Sequence, residues 1–139
     1  MDKRIQIAAA VLAAAMLAGC AEGLGGGSYR REDARREFEQ TVTWIEPLAA
    51  RFPDRPEILR LQGVAYYKLA ELERAGATTA ADAPGERTAH WRAALQWLRK
   101  THAVFINMRD RKLLAPADAG VPDELAAEIA TGEAAAGEP

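Results

Sequence analysis

Cysteine and serine are almost absent from this chain, and each absence removes a class of chemistry. The 139 residues include one cysteine, Cys20, so a disulfide within the chain and a metal site built on several cysteines are excluded. The one serine, Ser28, follows a run of glycines, whereas a serine nucleophile requires a rigid turn. The two histidines, His90 and His102, lie twelve positions apart, which is not the spacing of a helical zinc site. We therefore expect a non-enzymatic protein with no catalytic residue, no cofactor and no metal.

Charge imbalance and aromatic residues are also scarce. The formal net charge is −2 at pH 7, and nucleic-acid binding requires a clustered positive field, so we expect no nucleic-acid partner. Hydrophobic residues make up 49% of the chain but aromatic residues only 6%. The composition predicts one small domain whose core depends on a few large side chains.

The first 19 residues have the pattern of a secretory signal peptide. Lys3 and Arg4 give a positive start, and the segment from Ile5 to Leu17 is apolar apart from Gln6. A positive start followed by a short apolar run is typical of signal peptides. The run is shorter than the roughly 20 apolar residues of a membrane-spanning helix, which makes a retained transmembrane anchor the weaker alternative.

The apolar run ends in the sequence LAGC, which is Leu17, Ala18, Gly19 and Cys20. This motif resembles the lipobox of bacterial lipoproteins. The resemblance implies transfer of diacylglycerol to the Cys20 thiol, cleavage before Cys20, and acylation of the new amino terminus. Two or more acyl chains anchor a protein stably. Ala21 resembles the outer-membrane-directed pattern, so we expect a lipid-anchored envelope protein at the outer membrane facing the periplasm; the alternative is that Cys20 is a buried thiol near an A-x-A-like site.

Residues 20–28 are rich in glycine and predict a flexible tether. The sequence YRREDARRE follows at residues 29–37 and mixes arginines with acidic residues. Two interpretations remain open for Arg30, Arg31, Arg35 and Arg36. They contact anionic lipid headgroups, or they form ion pairs with neighbouring carboxylates at a solvated helix start.

From Tyr29 onward, large apolar residues recur every three or four positions, which indicates an all-α fold, a small antiparallel helical bundle. A first helix is expected from about Arg31 to Arg51, with a kink or an early stop before Pro47. Its apolar face comprises Phe38, Val42, Ile45, Leu48 and Phe52.

A second helix is expected to begin with Asp54 as its cap and Glu57 three positions later. It should reach about Ala75, since Gly76 offers a stop. Pro84 belongs either to the following connection or to the first turn of the third helix, which ends between Arg109 and Lys112. We expect the helical domain to cover residues 29–115, and residues 116–139 to form a short helix and a disordered tail.

The segment from Phe52 to Ala75 resembles the junction and first helix of a tetratricopeptide repeat. Gly63 and Tyr66 fall on the family's glycine and tyrosine positions, and Leu59 takes the tryptophan position. The resemblance covers about one and a half degenerate repeats, and it implies a helical hairpin in a binding scaffold. Gly63 would then allow a neighbouring helix to approach closely.

Three aromatic residues are candidates for an exposed partner-binding patch: Trp44, Tyr67 and Trp97. Each is adjacent in sequence to another large apolar residue, and two neighbours on a helix cannot both point into one narrow seam. Exposed aromatic residues often dominate protein interfaces. We therefore expect an adaptor that binds another envelope protein. The alternative function is binding of a small apolar ligand in a cavity lined by Trp91, Leu95 and Tyr66.

Overall fold

The computed structural model describes residues 27–137, and this part of the chain is helical without any strand. Four α-helices follow in order: α1 Gly27–Arg51, α2 Pro56–Thr79, α3 Pro84–Asp110 and α4 Val121–Ala136, with a 3₁₀ turn at Pro116–Asp118. Short connections at residues 52–55 and 80–83 make consecutive helices antiparallel. The predicted all-α bundle is thus confirmed. The predicted signal peptide, the LAGC motif and the tether up to residue 26 lie outside the described residues.

Helix α1 is longer at its start and less interrupted than the sequence predicts. It begins at Gly27 rather than near Arg31, and it continues through Pro47 to Arg51. Pro47 and Thr43, the residue whose carbonyl loses its helical partner, are both exposed, so water can satisfy that carbonyl. Buried Ile45 and Ala49 hold the helix to the core on either side of the proline.

Helix α2 begins without the predicted side-chain cap. Its N-cap residue is Arg55, which makes no capping hydrogen bond, and Pro56 occupies the first helical position. Proline is well suited there because its missing N–H would have no helical partner anyway. The Asp54 carboxylate instead accepts a hydrogen bond from Arg111, which ties the α1–α2 turn to the end of α3.

Gly76 does not end α2. The helix continues to Thr79, and Gly76 is buried against α3, where His90 occupies the space that a Cβ would need. Pro84 takes the first turn of α3. Helices α2 and α3 have 24 and 27 residues, so the hairpin is longer than the tetratricopeptide unit of about 34 residues.

The core consists of two apolar clusters that run between α1, α2 and α3. The first reaches α4 and contains Ile45, Ala49, Ile58, Leu59, Ala70, Leu98, Phe105, Met108 and Leu125. The second contains Phe38, Val42, Ala65, Tyr66 and Leu69. Gly63 allows the close approach predicted for it: a Cβ there would lie 2.6 Å from Cε2 of Phe105.

The chain after α3 is better ordered than the sequence predicts. Lys112 adopts a positive φ of 59°, and the Leu113 amide donates to the Met108 carbonyl over 2.8 Å, which closes α3 in a Schellman-like turn. Helix α4 then continues to Ala136, so the predicted disordered tail is wrong up to that residue. Gly132 explains this, because its missing side chain leaves room for Leu95 of α3.

Candidate interaction site

The three candidate patch residues lie in different surroundings. Trp44 on α1 is the exposed large hydrophobic residue of the described chain, with 54% of its surface accessible. Tyr67 is half-buried and its hydroxyl donates to Glu128 of α4 over 3.1 Å. Trp97 is half-buried and packs against both core clusters. Trp44 is therefore the member of the set with a largely solvent-exposed ring.

Tyr66 and Tyr67 point to opposite neighbours of α2. The Tyr66 hydroxyl donates to Glu46 Oε1 of α1 over 2.5 Å, and its ring lies 5.7 Å from that of Trp97. Burial, and then the hydrogen bond to Glu46, raise the pKa of Tyr66 to about 12. The phenol therefore stays a neutral donor through the physiological range, and it joins α1 to the α2–α3 pair.

Tyr67 belongs to a polar cluster that joins α2 to α4. Arg74 donates to Glu128 Oε2 over 3.0 Å and to the Tyr67 hydroxyl over 3.2 Å. Burial of the phenol raises the pKa of Tyr67. The three polar groups are bonded to one another, so this cluster positions α4 on α2.

An open groove of about 610 Å³ lies between the first turns of α1, the last turns of α2 and the start of α3. Its α1 wall carries both signs of charge and comprises Arg31, Glu32, Arg35, Arg36 and Glu39. Its floor is small and mostly apolar, with Leu72, Gly76, Thr79 and Ala80. Its third wall carries Glu86 and His90 from α3.

A buried carboxylate lies beside this groove and connects three helices. Glu73 of α2 is 6% exposed. Its Oε1 is 2.6 Å from Arg35 Nη2 of α1, and its Oε2 is 2.7 Å from His90 Nδ1 of α3. A buried carboxylate is tolerated only when it is well paired, so this arrangement fixes α1 and α3 on α2. The sequence reasoning missed it; the available signal was a glutamate four positions after Leu69, within the apolar repeat of α2.

Arg31 differs from Arg35 in having uncharged partners. Its Nη1 donates to Thr79 Oγ1 over 2.5 Å and to the Ala75 carbonyl over 3.4 Å. Arg36 has a side chain that is 70% exposed, and it lies 3.8 Å from Asp33. Of the arginines at the start of α1, Arg36 thus follows the ion-pair interpretation with a neighbouring carboxylate. Arg35 pairs instead with the buried Glu73 of α2, and Arg31 is a positioned cation whose bonded partners are uncharged oxygens.

The groove therefore suits binding of charged groups.

Within residues 27–137, no cluster of three or more histidine, aspartate or glutamate side chains could hold a metal ion. In the same range no helix is both long and apolar enough to cross a bilayer. Comparison of the chain with models of known families, with curated proteins and with solved structures gives no match.

Proposed function

We propose that this protein is a lipid-anchored adaptor of the bacterial cell envelope, which holds a partner protein at the membrane without catalysing a reaction. The anchor would be Cys20, in the motif that resembles a lipobox, and the helical bundle would be the binding module. Outer-membrane attachment facing the periplasm follows from Ala21 in the same resemblance.

The observation that carries the proposal is the exposure of Trp44. Tryptophan is among the side chains most enriched at the energetic centres of interfaces, and here more than half of its surface, 54%, contacts solvent. Gln40, Thr43 and Pro47 are also exposed on α1. Polar neighbours around an aromatic anchor are typical of a protein-binding surface.

The alternative of a small apolar ligand between the helices has less support. Leu95, which would line such a cavity, is fully buried. A Cβ at Gly132 would lie 2.8 Å from its Cδ2, so α4 already fills the space beside it. Tyr66 is also buried, with 5% exposure.

The test is capture of the partner from detergent-solubilised membranes, with mass spectrometry of the bait and of what it retains. The wild-type chain should carry acyl groups on Cys20 and retain one envelope protein in stoichiometric amount. Trp44→Ala should weaken retention by about tenfold or more. Thr131→Ala, at an exposed position of α4, is the control outside this surface and should retain the partner normally.

Two results would contradict the proposal separately. An unmodified Cys20 would contradict the proposed membrane anchor. Equal retention by the Trp44→Ala and Thr131→Ala variants would show that Trp44 does not belong to the binding surface. A Cys20→Ala variant with the partner still bound would show that anchoring and binding are independent.

A further inference from the structure

The charged groove opens at the end of the bundle where α1 begins. Arg31 lies in the second turn of α1 and bonds to Thr79 in the last turn of α2, so the start of α1 and the α2–α3 connection lie side by side. Six residues, 21–26, separate Cys20 from the start of α1 at Gly27. Seven extended steps span at most about 25 Å. A lipid on Cys20 would therefore keep this end of the bundle close to the membrane surface.

The groove carries both signs of charge in nearly equal number. Three arginines, Arg31, Arg35 and Arg36, and three glutamates line it, with Glu73 as a fourth carboxylate beside them. This balance gives no net positive field for a uniformly anionic surface. It matches instead a ligand that itself carries a phosphate and an ammonium group.

The arginines in the groove differ in how closely each is paired with a carboxylate. Arg35 is held by Glu73 over 2.6 Å. Arg31 is fixed by the uncharged oxygens of Thr79 and Ala75, so its charge is not neutralised by a bonded carboxylate. Arg36 has a side chain that is 70% exposed, and its Nη2 lies 3.8 Å from Asp33 Oδ1 on the same helix, which is too long for a hydrogen bond. Arg31 and Arg36 are thus the groups available to a phosphate, and guanidinium binds phosphate through paired N–H donors.

We propose that this groove binds the zwitterionic headgroup of a membrane phospholipid and docks the bundle on the membrane that anchors it. The phosphate is bound by Arg31 and Arg36, and the ammonium group by the rim carboxylates, Glu39 on α1 and Glu86 on α3. The groove volume of about 610 Å³ is in the range of small-molecule sites. The inference rests on the lipid anchor of the proposed function, and it adds a fixed orientation to it.

The experiment uses the lipidated full-length protein, processed by the cell and reconstituted into phosphatidylethanolamine vesicles. Because Cys20 would be blocked by lipid, the thiol of an Asp82→Cys variant, in the α2–α3 connection, can be labelled alone with a fluorophore. A second variant, Ala117→Cys, carries the label in the 3₁₀ turn beyond the other end of α3. A headgroup-attached quencher should quench the label at position 82 and leave the label at position 117 bright.

Substitutions then separate groove binding from anchoring. Arg36→Gln should lower the docked fraction about fivefold and the Arg31→Gln/Arg36→Gln pair further, since each removes a charge-assisted hydrogen bond. Arg55→Gln, an exposed arginine at the far end, is the matched control. Thr79→Val removes a partner of Arg31 but keeps both cations, so it should dock normally if Arg31 acts on the lipid and not through the fold.

The outcomes are distinct. Equal quenching at positions 82 and 117, or Arg36→Gln docking like wild type, would overturn the groove proposal while leaving the anchor intact. Stronger docking on phosphatidylglycerol than on phosphatidylethanolamine would overturn the zwitterionic assignment. Unchanged docking on vesicles of a phosphate-free glycolipid would show that the groove does not recognise a phosphate. Absence of acyl mass on Cys20, measured separately by mass spectrometry, would defeat the proposed function itself.

Discussion

The imidazole of His90 lies directly against Gly76 of the neighbouring helix. A Cβ placed on Gly76 would come within 2.7 Å of both Cε1 and Nδ1 of that ring. The same Nδ1 is 2.7 Å from Glu73 Oε2. The missing side chain at position 76 is therefore what allows His90 to reach the buried carboxylate. Gly76 thus supports the polar bridge formed by Arg35, Glu73 and His90, although it makes none of its bonds.

Gly76→Ala should destabilise the bundle by about 1–3 kcal/mol, because the new methyl group displaces the His90 ring and breaks its hydrogen bond. The matched control is Gly85→Ala, at an α3 position with no atom within 4 Å of the added Cβ. That control should be neutral or slightly stabilising, since alanine favours helix. Denaturant unfolding of both variants checks the prediction, and a Gly76→Ala variant as stable as Gly85→Ala would contradict it.

Glu73→Gln tests the bridge from its centre. The substitution removes the buried charge that pairs with Arg35 over 2.6 Å and with His90 over 2.7 Å. Because the Arg35 side chain is 40% exposed and water can solvate it, a loss of about 1–2 kcal/mol in unfolding free energy is expected. Glu71→Gln is the control, because Glu71 pairs with Lys68 on the exposed side of the same helix. Its effect on the unfolding free energy should stay within about 0.5 kcal/mol. Similar losses for the two variants would show that the buried pairing of Glu73 adds no more stability than an exposed ion pair.

The close contact of Gly63 with Phe105 can be tested by a double-mutant cycle. Gly63→Ala places a methyl group 2.6 Å from Phe105 Cε2 and should cost about 1–3 kcal/mol. Phe105→Leu also destabilises the core, but it makes room for the methyl group. The combined variant should therefore lose less stability than the sum of the single losses. Strict additivity in thermal or denaturant unfolding would mean that the two residues do not compete for space.

The helices were predictable from sequence because their apolar repeats are strong, whereas their ends were not. Asp54 has the chemistry of a cap, but Arg111 from a distant part of the chain binds its carboxylate. Gly76 and Gly132 look like helix-ending or tail residues in isolation. Both are used for close helix contacts, and only the three-dimensional arrangement distinguishes a glycine that ends a helix from one that lets two helices meet.

The candidate site was predictable only in part for the same reason. Local sequence identifies Trp44 as an aromatic residue beside a core position, and it is exposed. The groove needs Arg31 and His90, which are 59 positions apart in the sequence and are brought together by the antiparallel order of the helices. No periodicity within a single helix carries that information.

The buried phenol of Tyr66 should make the bundle sensitive to alkaline pH. Its pKa is raised from 10.0 to about 12 in the folded chain, mainly by burial, whereas the unfolded chain keeps a value near 10. The unfolded state therefore loses this proton first as pH rises, so the contribution of Tyr66 to stability is complete below about pH 10 and is lost between about pH 10 and 12. Tyr66→Phe should flatten the decline in unfolding free energy over this window, while Tyr67→Phe, which leaves Tyr66 in place, should retain most of it. Denaturant unfolding at several alkaline pH values, with tyrosinate absorbance to follow ionisation, measures both effects. A decline that persists unchanged in Tyr66→Phe would assign the alkaline sensitivity to other groups.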